Sequence, residues 1–339
     1  MKKLIGFDLF GKIISKHLEK TMIVIGVDIG GGSIKGAAIT SKGKILDGFT
    51  LPMDKEASQE VMFSRLVDTI KNFIDTHKYE EEISGVGLGV PGILDKANGI
   101  VISSPNMPTW SNFNIVKYLS SKLNLPIKIV NDASAAALGE ARFGSGKDYS
   151  NIIMLTLGTG VGGGIIINNE LYDGYKGTGA QLGHSLLELN GRECGCGRRG
   201  CLEAYASATA LKKDTEKLIK ENPDSILAKI ANKIGKVNAK VAFDADRANC
   251  PLGHKLVTDY VMYLSEGILD YANIFRPDVF VLSGGVANEG EYLLSRIRKY
   301  LKDHDYGYKD APIIKVEQAR LGYDSGKVGA ASLFFGANY

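Results

Sequence analysis

Apolar runs broken by glycine-rich turns alternate with helical patterns in the first part of the chain. Residues 22–29 are mostly apolar and predict a buried strand, which a glycine turn joins to a second strand at 34–40. Apolar residues recur at helical spacing over 59–77 and predict an amphipathic helix. The same reasoning predicts the remaining elements of this part: strands at 44–51, 83–90 and 127–131, and helices at 115–123 and 133–143, the last capped by Asp132.

The second part of the chain repeats this arrangement. A strand, a glycine turn and another strand are predicted in succession, at 151–157, 158–164 and 165–168. Later, the apolar strand at 279–283 runs into glycines, as the strand at 83–90 does. Helical patterns fill most of the remainder, at 204–274 and 325–335. Because self-similarity of this kind indicates internal duplication, we predict an α/β fold of two similar domains that face each other.

Composition and charge argue against several classes of protein. The chain has 339 residues, of which 23% are charged, and its net charge is +3. This near balance gives no support for binding to nucleic acid or to a membrane surface, and no apolar run approaches the roughly 20 residues of a membrane span. Residues 1–21 are predicted to form an amphipathic helical extension, and no signal-peptide cleavage site follows them. A cytoplasmic protein is expected.

The two glycine turns are candidates for binding phosphate. Glycines expose backbone N–H groups that can close on phosphate oxygens, and Asp28 at the end of the first strand offers an oxygen ligand for Mg²⁺. A single turn of this kind can equally be a tight hairpin, but a pair of them predicts a clamp on ATP. Neither turn has the spacing of a P-loop. The candidate residues are Asp28, Gly30, Gly31, Gly32, Ser33 and Lys35 in the first turn and Gly158, Thr159, Gly160 and Gly162 in the second.

These segments resemble a known superfamily. Residues 28–36 and 157–164 are similar to the two phosphate motifs of the actin, Hsp70 and hexokinase superfamily, and Gly284 with Gly285 resembles its adenosine motif. His184 followed by Cys194, Cys196 and Cys201 resembles the zinc motif of the ROK family, which contains sugar kinases and sugar-responsive repressors. The resemblance implies two actin-like (ribonuclease H-like) domains across a cleft, with domains at 22–143 and 144–324 and a C-terminal helix at 325–339 that returns to the first domain.

The cysteine cluster predicts a structural zinc site. Cys194, Cys196 and Cys201 are crowded on one loop, and with His184 they make the Cys₃His set of a closed tetrahedral site. The alternative is three reduced thiols on a surface loop. Crowding of this kind is typical of a metal site in a reducing compartment rather than of a disulfide framework.

The resemblance also assigns the sugar site. Asp132, where a strand meets a helix, corresponds to the family's general base, although it can also serve only as a helix cap. The resemblance places Asn106, Asn131, His184 and Glu203 against the sugar. Gln181 departs from the glutamate that is common at its position in the kinases, which leaves the identity of the sugar open.

We therefore expect an ATP-dependent kinase of a free hexose, with glucose as the first substrate and Mg-ATP and zinc as cofactors. N-acetylmannosamine and N-acetylglucosamine are the alternative substrates. A sugar-responsive transcriptional regulator is the alternative of another class, which the balanced charge disfavours. The expected partners are a sugar and ATP, not nucleic acid or membrane, and a homodimer is expected from the resemblance and the frequency of symmetric oligomers.

Overall fold

The computed structural model describes residues 21–79, 81–104, 107, 109–306 and 311–336. The predicted N-terminal extension and Asn106 lie outside the described residues, Thr21 excepted. Within this part of the chain, no helix combines the length and apolar character that crossing a bilayer requires.

The first half of the chain builds a five-stranded mixed sheet. Its order is β3-β2-β1-β4-β8: an antiparallel hairpin places Asp28 opposite Lys35, while β4 and β8 run parallel to β1. The strands are β1 Ile23–Ile29, β2 Ser33–Thr40, β3 Ile45–Pro52, β4 Ile83–Val90 and β8 Ile127–Asn131. A smaller sheet lies between β4 and β8 in sequence and consists of β5 Ile93–Asp95, β6 Ile100–Ser103 and β7 Ser111–Asn114.

The second half builds a sheet of the same design. Its order is β11-β10-β9-β12-β13, again an antiparallel hairpin continued by parallel strands. The strands are β9 Ile152–Leu157, β10 Val161–Ile167, β11 Glu170–Tyr172, β12 Val279–Ser283 and β13 Val316–Gln318. Two mixed five-stranded sheets of matching topology confirm the predicted α/β class and the internal repeat.

Helices cover both sheets. They are α1 Gln59–Thr76, α2 Ile115–Leu123, α3 Asp132–Phe143, α4 Glu203–Ala206, α5 Ala208–Glu221, α6 Ile226–Ile234, α7 Ala239–Arg247, α8 Pro251–Phe275, α9 Glu291–His304 and α10 Ser325–Ser332. The largest apolar core lies in the second half, between its sheet and α5–α9, and a second core lies under α1 and α2.

Helices α3 and α10 pack together at backbone distance. A Cβ built on Gly329 would lie 1.6 Å from the carbonyl oxygen of Ala135, and one built on Gly139 would lie 2.4 Å from that of Ser325. The strands β1 and β4 approach α10 as closely, since a Cβ on Gly26 or Gly87 would lie 1.9 Å from a carbonyl oxygen of that helix. Only glycine allows such contacts.

Three predicted boundaries are wrong. The helix α3 is capped by Asn131, whose Oδ1 accepts hydrogen bonds from the N–H groups of Ala133 (3.0 Å) and Ser134 (3.3 Å), rather than by Asp132. Strand β10 begins at Val161 instead of 165, because its glycines pair with β9, and Gly162 and Gly164 pack against α3 instead of forming part of the turn. The last helix ends at Ser332 rather than 335, and Arg142 donates hydrogen bonds to the carbonyl of Ser332 and to that of Phe335 beyond the helix.

We expect Gly329→Ala to lower the free energy of unfolding by about 3 kcal/mol or more, because the added methyl meets a backbone that cannot rotate away. Gly267→Ala on α8 is the matched control, since the three atoms nearest its methyl would all belong to the Leu202 side chain rather than to backbone, the nearest at 2.7 Å. Chemical denaturation of both variants measures the difference. Equal stability of Gly329→Ala and the wild type would contradict the packing described for α3 and α10.

Candidate active site

Two carboxylates lie side by side at one edge of the first sheet. Asp28 lies near the carboxyl end of β1, and Asp132 directly follows β8, two strands away. Gly89 on the intervening β4 lies next to both residues, since a Cβ there would lie 3.5 Å from the Asp132 Cα and 3.8 Å from Asp28 Oδ1. The carboxyl ends of parallel strands are where α/β proteins commonly bind ligands.

Burial and mutual repulsion affect the ionisation of this pair. Burial, with the charge of Asp132 as the next cause, raises the pKa of Asp28 to about 6, against the opposing charges of Lys35 and Lys327. Burial also raises the pKa of Asp132, while hydrogen bonds from its own helix start oppose the rise. Perturbed carboxylates in a cleft are typical of functional sites.

Asn131 holds the Asp132 backbone in place. Its Oδ1 caps α3, and its Nδ2 donates a 3.3 Å hydrogen bond to the carbonyl of Gly92. The side chain that the resemblance assigned to the sugar is therefore used to begin the helix that presents Asp132. A contact of Asn131 with sugar stays a prediction.

A cavity of about 240 Å³ opens beside the carboxylates and is lined from both halves of the chain. A smaller cavity of about 70 Å³ adjoins it, with Ser283, Gly284, Gly322 and Tyr323 common to both. The larger cavity is lined by Asp28, Lys35, Asp132, Ala133, Ala136, Thr156, Ser283, Gly284, Gly322, Tyr323, Ser325 and Gly326. Asp28, Lys35, Asp132 and Gly284 were candidates from the sequence, and the structure brings them together.

Sequence reasoning missed several lining residues. Thr156 lies within β9, and Gly322 with Tyr323 lies before α10, where no motif marked a site. The Lys35 ammonium lies 5.3 Å from the centre of the Tyr323 ring, so the first hairpin and the segment before α10 meet at this cavity. Gly322 has a φ of 56°, so a glycine at this position was the feature of the sequence that could have indicated an unusual backbone conformation before α10.

The first glycine turn is open on one side. The N–H of Gly30 donates to the carbonyl of Ser33 at 3.0 Å and closes the turn. Gly31 and Gly32 are exposed, and a Cβ on Gly32 would contact nothing within 4 Å. The turn therefore leaves space directly above its backbone, as a phosphate cradle needs.

The second turn has fewer residues than predicted, and its carbonyl groups accept hydrogen bonds from helix α5. It comprises Gly158–Gly160, with Gly162 already in β10. The carbonyl of Gly158 accepts a hydrogen bond from the Ala208 N–H at 2.9 Å, and the carbonyl of Thr159 accepts one from the Thr209 hydroxyl at 2.7 Å. Helix α5 thus holds this turn from its carbonyl side.

The adenosine-like glycines lie against the second turn. Gly284 has a φ of 88°, and a Cβ there would lie 2.5 Å from the carbonyl oxygen of Leu157. Its conformation and its close neighbour both require glycine. Gly285 follows in a helical conformation, and a Cβ there would meet nothing within 4 Å. The ends of β9 and β12 are held together by this contact.

The predicted zinc ligands form one cluster. The ligand atoms of His184, Cys194, Cys196 and Cys201 all lie within 4.8 Å of one another. Cys194 Sγ is 3.7 Å from His184 Nδ1, and the sulfurs of Cys196 and Cys201 are also 3.7 Å apart. A tetrahedral zinc with Zn–S bonds of about 2.3 Å needs neighbouring ligands about 3.5–3.8 Å apart. The donor set and its spacing therefore fit zinc.

Backbone hydrogen bonds fold the cysteine loop. The N–H of Cys194 donates to the carbonyl of Arg198 at 2.9 Å, and the N–H of Leu202 donates to the carbonyl of Ser185 at 2.9 Å. Tyr271 on α8 donates to the carbonyl of Leu182, next to the histidine. The loop and the His184 segment are thus held at both ends.

Glu203 links this cluster to the second glycine turn. Its Oε2 accepts a 2.9 Å hydrogen bond from the Val161 N–H, and its Oε1 lies 3.6 Å from the Cys194 thiol. Gly160 is required beside it, since a Cβ there would lie 2.2 Å from Oε2. Gln181 is exposed just before the short 3₁₀ turn that carries His184.

Comparisons with known proteins agree with these features. The ROK family profile matches residues 24–336. The glucokinase of Thermotoga maritima is 36% identical over 317 residues, which cover 91% of this chain and 96% of that protein. The xylose repressor of Bacillus spizizenii is 31% identical over 85% of this chain and 71% of its own length. A Streptomyces griseus ROK family glucokinase, crystallised with glucose and AMPPNP, superposes with a TM-score of 0.77 at 33% identity over 92% of this chain and 98% of that one.

We expect Cys196→Ser to lose bound zinc and to lower the melting temperature in the same variant, because three ligands no longer close the tetrahedral site. Cys250→Ser is the control, since that buried thiol lies outside the cluster. Metal analysis and thermal unfolding of both proteins measure the effect. Stoichiometric zinc with an unchanged melting temperature in Cys196→Ser would rule out the structural role.

We expect Asp28→Asn to stabilise the ligand-free protein most at pH 8, by roughly half as much at pH 5, and hardly below pH 3.8. The folded-state pKa is raised above the unfolded value of 3.8 to about 6, so stability present below pH 3.8 is lost as pH rises through 6. The gain at pH 8 should be about 1–3 kcal/mol, since one pKa unit corresponds to about 1.4 kcal/mol. Denaturation in Mg²⁺-free buffer measures it, with the exposed Asp75→Asn as control. An equal effect at both pH values would contradict the raised pKa.

Proposed function

The chain belongs to the ROK family, and on that premise we propose that it transfers the terminal phosphoryl group of ATP to a hydroxyl of a free hexose, with glucose as the preferred substrate. The observation that carries this proposal is the pair of partly buried carboxylates, Asp28 and Asp132, at the edge of a cavity lined from both halves of the chain. Phosphoryl transfer needs positioning, charge stabilisation and a base at the attacking hydroxyl, and little else from a protein.

Asp132 is the proposed general base. It lies at the first residue of α3 and lines the cavity, and its backbone is held by the cap that Asn131 forms. As the oxygen–phosphorus bond forms, the sugar hydroxyl passes its proton to the Asp132 carboxylate. Burial raises the pKa of this carboxylate, which increases its ability to take a proton.

Asp28 and the glycine turns are proposed to hold the phosphates. Asp28 offers a hard oxygen ligand for the Mg²⁺ of Mg-ATP, which when bound neutralises phosphate charge. The open backbone above Gly31 and Gly32 supplies room for phosphate oxygens from the first half. Lys35, which lines the same cavity, adds a positive charge. The turn at Gly158–Gly160 is proposed to act from the opposite side.

The cluster of His184 and the three cysteines is proposed to orient the side chains that bind the sugar, and not to take part in the reaction. With Nδ1 turned toward the cysteines, His184 has Nε2 left to contact a sugar hydroxyl in a fixed tautomer. Glu203 is tied to the Val161 N–H by one oxygen, which leaves the other carboxylate oxygen near the cluster for a sugar hydroxyl. Gln181, exposed beside them, is proposed to influence which hexose is preferred.

The experiment that tests the activity is ADP release from Mg-ATP over a panel of free sugars: glucose, mannose, fructose, allose, N-acetylglucosamine and N-acetylmannosamine. Strong turnover of glucose is expected, and a stronger response to an N-acetylated sugar would replace glucose as the substrate. Absence of turnover on every sugar, by folded protein with its metal bound, would contradict the kinase proposal and favour a regulator.

We expect Asp132→Asn to lower kcat by about 10²–10⁴-fold, the usual contribution of a positioned base, while sugar binding is retained. The amide keeps the size of the side chain but cannot accept the proton. Asp75→Asn on the exposed face of α1 is the matched control and should keep wild-type turnover. Steady-state kinetics and sugar titration measure the two effects. Near-normal turnover of Asp132→Asn would show that another group is the base.

A further inference from the structure

A carboxylate away from the cavity holds two separate segments of backbone. Glu140 is fully buried in the last turn of α3. Its Oε2 accepts hydrogen bonds from the N–H of Ser145 (2.9 Å), from the Ser145 hydroxyl (3.2 Å) and from the N–H of Arg320 (3.0 Å). Its Oε1 accepts from the N–H of Leu321 at 2.7 Å. All four partners are donors, as an ionised carboxylate requires.

These two segments are where the chain passes between the sheets. Residues 144–151 lead from α3 to β9, the first strand of the second sheet. Residues 319–324 lead back from β13, the last strand of the second sheet, to α10, which packs on the first. The Glu140 side chain therefore links the segment that leads to the second sheet with the segment that leads back from it.

The returning segment is also a wall of the cavity. Arg320 and Leu321 are followed directly by Gly322 and Tyr323, which line both the larger and the smaller cavity. The start of α10 then lies against Asp28, since a Cβ on Gly326 would be 2.7 Å from its carboxyl carbon. The position of the 320–326 segment thus depends on the hydrogen bonds that Glu140 accepts.

We propose that Glu140 is a positioning residue for the nucleotide. It fixes the wall formed by residues 320–326 relative to Asp132, the first residue of the helix whose last turn contains Glu140. The expected changes in KM and kcat rest on the proposed kinase function and the change in nucleotide affinity on the proposed binding of ATP, whereas the hydrogen-exchange result rests on neither. The hydrogen bonds of the Glu140 side chain go to Ser145, Arg320 and Leu321, none of which lines the cavity, so its effect is expected on nucleotide affinity more than on the chemical step.

Gly144 provides a second way to disturb the same contact. A Cβ there would lie 1.8 Å from Glu140 Oε2, so Gly144→Ala must displace the carboxylate while leaving its chemistry intact. A Cβ there would also lie 2.8 Å from the Glu140 Cα, so this variant crowds the end of α3 as well as the carboxylate. The two variants, Glu140→Gln and Gly144→Ala, change different residues and share one expected consequence.

In Glu140→Gln, one end of the side chain becomes an N–H₂ group that faces backbone donors and can no longer accept from all of them. We expect the Kd of a non-hydrolysable ATP analogue and the KM for ATP to rise about tenfold, within the range of couplings transmitted through packed networks. The KM for sugar and kcat should change less than threefold. Amide exchange at Ser145, Arg320 and Leu321 should become faster. Gly144→Ala should give the same pattern.

Two controls separate positioning from general stability. Glu60→Gln removes an exposed carboxylate from α1, and Ile70→Val removes a buried methylene from the core under the same helix; both should keep wild-type nucleotide affinity. Nucleotide affinity within twofold of wild type in both folded test variants would overturn the proposal. So would failure of both to fold, which would assign the contact to folding alone. Wild-type protein that binds the analogue but phosphorylates no sugar would overturn only the kinase proposal.

Discussion

The close backbone contact between α3 and α10 is the constraint on which the rest of the structure depends. Gly139 and Gly329 let the two helices meet without side chains between them, and Gly26 and Gly87 let β1 and β4 approach α10 equally closely. Because both helices begin at the cavity, this contact sets the distance between Asp132 and the wall that follows residue 320. A larger residue at any of these glycines would move the wall and the base apart.

The same close packing explains the electrostatics of the site. Asp28 lies against Gly326 of α10 and faces Asp132, so it loses hydration and gains a like charge, and its pKa rises to about 6. The ionised form of Asp28 is therefore unfavourable unless a cation binds next to it. The repulsion between Asp28 and Asp132 would be relieved when Mg²⁺ binds, which favours the binding of Mg-ATP that we propose.

The second half of the chain provides a rigid counterpart. The cysteine loop, the His184 turn and Glu203 are held to one another and to the glycine turn before Val161 by short hydrogen bonds. Metal at the cluster would add a further link between the cysteine loop and the His184 segment, which the Leu202 N–H already joins by a hydrogen bond to the Ser185 carbonyl. The side chains that we propose to bind sugar would keep a fixed orientation on such a framework.

The sequence by itself determined the features with short-range causes. The buried strands, the paired glycine turns and the Cys₃His spacing depend on neighbouring residues, so the repeated α/β fold and the metal cluster were predictable. It did not decide between Asn131 and Asp132 as the cap of α3, since either side chain can cap a helix. Nor did it reveal Tyr323 in the cavity wall, or Glu140, whose partners at Arg320 and Leu321 lie far along the chain. Only the tertiary structure decided these, because burial and hydrogen bonding between distant segments leave no periodic pattern in the sequence.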